Sequence, residues 1–174
     1  MRQIISILLE NAPGALSRVV GLFSQRNYNI ETITAAPTED RTLSRITIVT
    51  AGDDQVVEQI TKQLHKLVDV IRVASEPSGT AQAVEREIVL VKVQCLGHTV
   101  REELKTLCDI FGAAIVDVTP ELFVLQHVSS SQEIDRFLKA VTEQADIIET
   151  VRSGVCGIFR GERAAMVNVG DSRA

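Results

Sequence analysis

Ile4-Ile5-Ser6-Ile7-Leu8-Leu9, then Glu10-Asn11-Ala12-Pro13-Gly14, then Ala15-Leu16-Ser17-Arg18-Val19-Val20-Gly21-Leu22-Phe23, is the stretch that decides the fold. The first run is continuous, apolar and β-branched, as expected of a buried strand. Pro13 and Gly14 break it. Leu16, Val19, Val20 and Phe23 then recur at i, i+3, i+4 and i+7, which puts one apolar face on a helix. A strand feeding a helix through a five-residue turn starts an α/β-type unit, and the next fifty residues complete it. A strand is predicted from about Asn29 to Ala36, stopped by Pro37. Thr38-Glu39-Asp40-Arg41 forms a polar hairpin loop, and Leu43 to Thr50 is a second β-branched strand. Asp53 is positioned to cap a second helix whose face is Val56, Val57, Ile60 and Leu64. Val68 to Val73 is the fourth strand. The order is β-α-β-β-α-β.

The order then repeats. Ile88 to Val93 is a strand. Thr99-Val100-Arg101-Glu102 reads as a capping box opening a helix with Val100, Leu104, Leu107 and Phe111 inward and Gly112 at its end. Ile115 to Val118 and Leu122 to Gln126 are strands around Pro120. Ser130-Ser131-Gln132-Glu133 is a second capping box before Ile134, Phe137, Leu138 and Val141. Ile147 to Val151 closes the unit. The halves also echo each other in sequence: Leu67-Val68-Asp69-Val70-Ile71 parallels Ala145-Asp146-Ile147-Ile148. The expected fold class is α+β, two tandem ferredoxin-like βαββαβ modules. Residues 1–76 form the first module, 77–84 a linker, 85–161 the second, and 162–174 a disordered tail. In the first module, one sheet face has no helix to cover it, yet the Ile4–Leu9 strand is apolar on both faces. Something must cover that face or extend its edge, and an oligomer is expected.

Composition narrows the function classes. The 174-residue chain is 45% hydrophobic and 24% charged, that of an ordinary soluble domain protein. Its longest apolar runs, such as Ile88 to Val91, fall far short of the roughly 20 residues that span a bilayer. No secretory signal is legible, so a cytoplasmic location with no membrane association is expected. The net charge of -5 and the 3% of aromatic residues, with no Trp, argue against nucleic acid as a partner. Cys95, Cys108 and Cys156 form no CxxC pair, and His65, His98 and His127 lack zinc-ligand spacing. The cysteines are read as reduced and buried, and no metal site is expected. No dinucleotide fingerprint or nucleophile motif is present, so no catalytic residue is assigned.

The Glu10–Leu16 loop carries the chemistry. Gly14 allows close backbone approach and frees the first N–H groups of the helix, which with the helix dipole suit a carboxylate. Asn11 offers a carbonyl to an ammonium. Asn29, from a neighbouring copy, can do the same. Leu9, Leu16 and Ile30 supply an aliphatic wall. Together these suit a small apolar amino acid. Asp at position 14 is expected to be mild for folding, because Asp is an acceptable N-cap.

Asn11-x-Pro-Gly-x-Leu followed by Tyr28-Asn29-Ile30 resembles the ACT domain, a ferredoxin-like amino-acid sensor. The whole chain to about residue 161 more closely resembles the small regulatory subunits of acetohydroxyacid synthase (acetolactate synthase). The matching runs include Gly14-Ala15-Leu16-Ser17-Arg18-Val19, Gly21-Leu22-Phe23-Ser24-Gln25-Arg26, Leu43-Ser44-Arg45-Ile46-Thr47-Ile48, Gln63-Leu64-His65-Lys66-Leu67-Val68-Asp69-Val70, Val84-Glu85-Arg86-Glu87 and Arg152-Ser153-Gly154-Val155. Asn27 departs from the family, which commonly has Gly there. The resemblance implies a non-catalytic subunit. It activates a large catalytic subunit, a thiamine diphosphate-dependent transferase that also uses magnesium and FAD, and confers feedback inhibition by valine in branched-chain amino-acid biosynthesis. No cofactor is expected in this chain. The implied ligand site is Asn11, Ala12, Gly14, Ala15 and Leu16 of one chain with Asn29 and Ile30 of a second, in a homodimer. Arg18, Arg26 and Arg45, exposed-looking charges within the matching runs, are candidates for contact with the large subunit. Three rival readings remain at this point: a transcriptional ACT sensor, disfavoured by the acidic charge and missing helix-turn-helix; an acylphosphatase-like enzyme, disfavoured because no Arg precedes Arg18 in the loop; and a scaffold without ligand.

Overall fold

The computed structural model describes residues 2–79 and 83–160. The expected tail, 162–174, lies outside the described residues. The chain divides into two compact units: Met1–Glu85 together with the segment from Val155 onward, and Arg86–Gly154.

The first unit contains β1 (Arg2–Glu10), α1 (Ala15–Gln25), β2 (Thr32–Pro37), β3 (Leu43–Ala51), α2 (Asp54–Leu64) and β4 (Val70–Pro77). Its antiparallel sheet has the order β2-β3-β1-β4. Pairing places Ile5 opposite Ile48 and Ile7 opposite Ile46, so these side chains share one face. Against that face pack Val19 and Phe23 of α1 and Ile60 and Leu64 of α2, all almost fully buried. Burying each such side chain contributes roughly 1.5–3 kcal/mol. Asp53 caps α2 as expected, accepting from the Val56 amide at 2.8 Å.

The opposite face explains why β1 is apolar on both sides. Ile4 is 2% exposed and packs with Val49 and Val155. Val155 and Gly157 come from the segment after the second βαββαβ repeat, and Gly157 lies against Ile4. Part of the bare face is thus covered by the chain's own final described segment, which includes β9 (Cys156–Phe159). Sequence periodicity gave no sign of this four-residue strand.

The second unit holds most of β5 (Ala83–Gln94), then α3 (His98–Phe111), β6 (Ala114–Val118), β7 (Leu122–Ser129), α4 (Ser131–Gln144) and β8 (Ile147–Arg152). The order is β6-β7-β5-β8, with β9 also pairing with β5. Val89, Val91, Val93, Leu104, Leu125, Ile134, Phe137 and Val141 form its core. Both repeats therefore have the ferredoxin-like βαββαβ form. Ser130 caps α4 by accepting from the Glu133 amide. The capping box at Thr99 is not formed. The helix begins one residue earlier, at His98, after Gly97 with φ 88°. Glycine takes that backbone readily, so the chain turns before Thr99, which then lies inside the first helical turn.

Candidate functional site

The loop between β1 and α1 is tied at several points. The Glu10 amide donates to Asp69 O at 2.9 Å and the Asn11 amide to Thr42 O at 2.7 Å. Asn11 Nδ2 donates to Arg41 O at 3.0 Å, leaving its Oδ1 without a partner among the described residues. Gly14 is the N-cap of α1, with φ 83° and ψ -9°, and no side chain caps the helix. The Leu16 and Ser17 amides have no backbone acceptor among the described residues. An unpartnered carbonyl oxygen therefore lies in the same loop as free N–H groups at the positive end of a helix. Beside them is a cleft of about 250 Å³ lined by Leu9, Asn11, Ala12, Ala15, Leu16, Ala35 and Ile46, among others.

Of the residues expected at the site, Asn11, Ala12, Ala15 and Leu16 come together there. Gly14 does not line this cleft and instead borders the neighbouring surface around Arg18. Asn29 is exposed and Ile30 packs against the core just before β2, so neither lines the cleft within one chain. The Asn29 carbonyl accepts from Thr50 Oγ1 at 2.5 Å. Leu16 departs from the expected helix face. α1 buries Ala15, Val19 and Phe23, and Leu16 is 44% exposed. The helix is rotated by one position, which turns Leu16 toward the cleft. Asn27 takes φ 57°, a left-handed conformation that Asn tolerates better than most residues.

Sequence reasoning missed Asp69. It is 6% exposed, and Arg18 donates to it through Nε at 2.5 Å and Nη2 at 2.8 Å. The hydrogen bonds from Arg18 hold the Asp69 carboxyl below the usual range. A Cβ on Gly14 would come within 2.9 Å of Arg18 Nη1. Gly14 is thus favoured by its positive φ, an added Cβ would push the Arg18 guanidinium aside, and the expectation that Asp is mild there is overturned. Nor are all three arginines plain surface charges. Arg18 is ion-paired, and Arg45 is half-buried, donating to Ser6 Oγ and Gly157 O, each at 3.0 Å. Arg26 is exposed and donates to Gln63.

Residues 5–72 match the family described as the AHAS small subunit-like ACT domain, and residues 86–161 match the family described as the small subunit of acetolactate synthase. The chain belongs to the acetolactate synthase small-subunit family. It is 56% identical over 163 residues to the acetolactate synthase isozyme 3 small subunit of Salmonella typhimurium, covering 94% of this chain and 98% of the relative. Identity to the Escherichia coli isozyme 3 small subunit is 55% over the same length, with the same coverage. The crystal structure of the acetolactate synthase small subunit from Thermotoga maritima superposes with a TM-score of 0.84 at 32% identity, covering 94% of this chain and 99% of that one.

Other features of this small subunit lie away from the loop. Cys95 and Cys108 are buried as expected, and burial pushes the Cys108 thiol up to about 11. Cys156 is exposed, against expectation, because alternation along the short β9 turns it outward. His127 is 5% exposed among Phe111 and Phe137, and neither ring nitrogen has a hydrogen-bond partner among the described residues. In the second unit, Glu87 is 1% exposed at its side chain and receives Arg152 Nε and Nη2, both at 2.8 Å, and Ser131 Oγ at 2.9 Å. Among the described residues no helix is long and apolar enough to cross a membrane.

Proposed function

We propose that this chain is a cytoplasmic, non-catalytic regulatory subunit that activates the large subunit of acetolactate synthase and makes it sensitive to feedback inhibition by valine. The observation that carries the reading is the loop at the start of α1. Among the described residues Asn11 Oδ1 is unpartnered and the Leu16 and Ser17 amides are free, and an apolar cleft adjoins them. An α-amino acid has the complementary chemistry: an ammonium for Oδ1, a carboxylate for the helix N-terminus, and a branched side chain for Leu9, Ala15 and Ile46. The cleft of about 250 Å³ suits a ligand of valine's size.

Homodimerisation belongs to the same reading. β2 is an edge strand, and Asn29 and Ile30 precede it. A second copy pairing along that edge brings its own Asn29 and Ile30 to complete the site, two half-sites by symmetry. Thiamine diphosphate, magnesium and FAD remain with the large subunit. Mixing the purified chain with its large subunit and measuring acetolactate across a valine titration tests the reading. The chain should raise the rate and valine should lower it again, while the chain alone forms no acetolactate. A rate unaffected by the chain, or stimulation indifferent to valine, refutes it.

A further inference from the structure

We propose that the helix-free face of the first unit holds a second ligand site, for a small monocarboxylate, centred on Arg45. Pairing across the sheet sets Ala36, Arg45 and Leu8 in one row and Thr34, Thr47 and Ser6 in the next. Residues of the final described segment, Cys156 and Gly157, close the side of a cleft of about 360 Å³ over these rows. Arg45 spends Nε on Ser6 Oγ and one Nη2 hydrogen on Gly157 O, both neutral acceptors. Its Nη1 donors have no acceptor among the described residues, and no carboxylate there lies within ion-pair distance. A half-buried guanidinium with only neutral partners is costly, and an anion meeting its free edge compensates it. Loss of hydration shows in the direction of its pKa, which burial lowers.

A second group points the same way. Thr47 is 5% exposed and lines the cleft, yet its hydroxyl has no hydrogen-bond partner among the described residues. It is available to donate to an anion held by Arg45. The remaining wall decides the ligand class. Ala36 and Pro37 are apolar and suit a short aliphatic group. Glu39 on the rim disfavours a dianion such as phosphate. One guanidinium, one hydroxyl and a small apolar wall fit a monocarboxylate of a few carbon atoms. This site is distinct from the Asn11 cleft, which lies against α1. Among the described residues the two share only Ala36 and Pro37.

Cys156 supplies the readout. It lines the Arg45 cleft and is the exposed cysteine among Cys95, Cys108 and Cys156. The full chain is treated with iodoacetamide, and the alkylation rate of the Cys156 peptide is followed by mass spectrometry. The arms are buffer, isobutyrate, and the neutral isostere isobutyramide. Isobutyrate should slow alkylation saturably, about tenfold at ten times its Kd, and isobutyramide should not. Arg45→Gln should abolish the protection and Thr47→Val should raise the concentration needed for it. No slowing by isobutyrate, equal slowing by the amide, or protection that survives in a folded Arg45→Gln variant overturns the proposal. Slowing that grows with protein concentration in the absence of isobutyrate also overturns it, because a second copy then occupies the cleft. Should Arg45→Gln fail to fold, the acid-against-amide comparison on the wild-type chain and the Thr47→Val variant decide.

Discussion

Gly14→Asp separates what the loop does for folding from what it does for a ligand. The residue caps α1 at φ 83°. A side chain in that left-handed region costs about 1–2 kcal/mol, toward the lower end for Asp. The new Cβ would also meet Arg18 Nη1 at 2.9 Å, and the guanidinium must swing aside, loosening its hold on Asp69. For a domain of this size the backbone term alone lowers Tm by about 4–16 °C. Gly112 makes a matched control. It also has positive φ, 64°, but nothing lies within 4 Å of an added Cβ. Gly112→Asp therefore has the same kind of backbone strain without the Arg18 contact and away from the loop.

The ligand effect is electrostatic. For a separation taken as about 6 Å and an effective dielectric near 20, a carboxylate at position 14 repels a carboxylate held at the helix N-terminus by about 3 kcal/mol. That is roughly a hundredfold in Kd. Arg18 neutralises part of the new charge, so about tenfold to a hundredfold is expected. The assay is acetolactate formation by the reconstituted pair across a valine titration, with thermal unfolding of each variant run beside it. Gly14→Asp should shift the inhibition curve to higher valine and keep activation, and Gly112→Asp should leave the curve in place. A lowered Tm with an unmoved inhibition curve refutes the argument, since Gly14 then serves only the fold. Loss of activation together with inhibition assigns the loop to the large-subunit contact instead.

Three further outcomes follow from the packing. Arg152→Ala takes its guanidinium away from the Glu87 carboxylate, 1% exposed, and should cost about 2–4 kcal/mol in denaturant unfolding, below the fully buried range because Arg152 is about one-third exposed; Glu87→Leu with Arg152→Leu should recover part of that loss. His127 has a pKa lowered by burial, so its contribution is intact above about pH 6.5 and is lost as pH falls through the depressed folded value; the second unit's Tm should drop between pH 7 and pH 5, and His127→Leu should flatten that slope. Val155→Ala removes a side chain 1% exposed against Ile4 and Val49 and should destabilise the first unit by roughly 1–3 kcal/mol, measured by hydrogen exchange in β1; unchanged exchange there would mean the final segment adds nothing to that sheet.

The fold was largely legible because its signals are local. Val19 and Phe23, or Ile134 and Val141, announce a helix face within two turns, and Ile46-Thr47-Ile48 announces a strand. Errors arose where a backbone preference one residue away outweighed a side-chain pattern. Gly97 turns the chain before Thr99 can cap, and Ala15 rather than Leu16 faces the core. The candidate site was half legible. Asn11, Ala12, Ala15 and Leu16 are contiguous and come together because one turn holds them. Ala35 and Ile46 join from strands that periodicity marks only as core. Asp69 was illegible, since nothing near Leu67-Val68 says that its partner is 51 residues earlier.

Asp69 also shows how the loop is kept in shape. Its carbonyl accepts the Glu10 amide where β1 ends, and its carboxylate holds Arg18 in the first turn of α1. One buried residue thus grips both ends of the Asn11–Ser17 segment. Thr42 and Arg41 further hold its first residue through the Asn11 backbone and side chain. On the proposed reading, a loop fastened at these points has little freedom left to lose when a ligand binds, so more of each polar contact is realised as affinity. The same fastening joins the loop to the β2–β3 turn on one side and to the start of β4 on the other. The Asn11 ties and the Asp69 tie thus fasten the loop next to both edge strands of the sheet's order, β2 and β4.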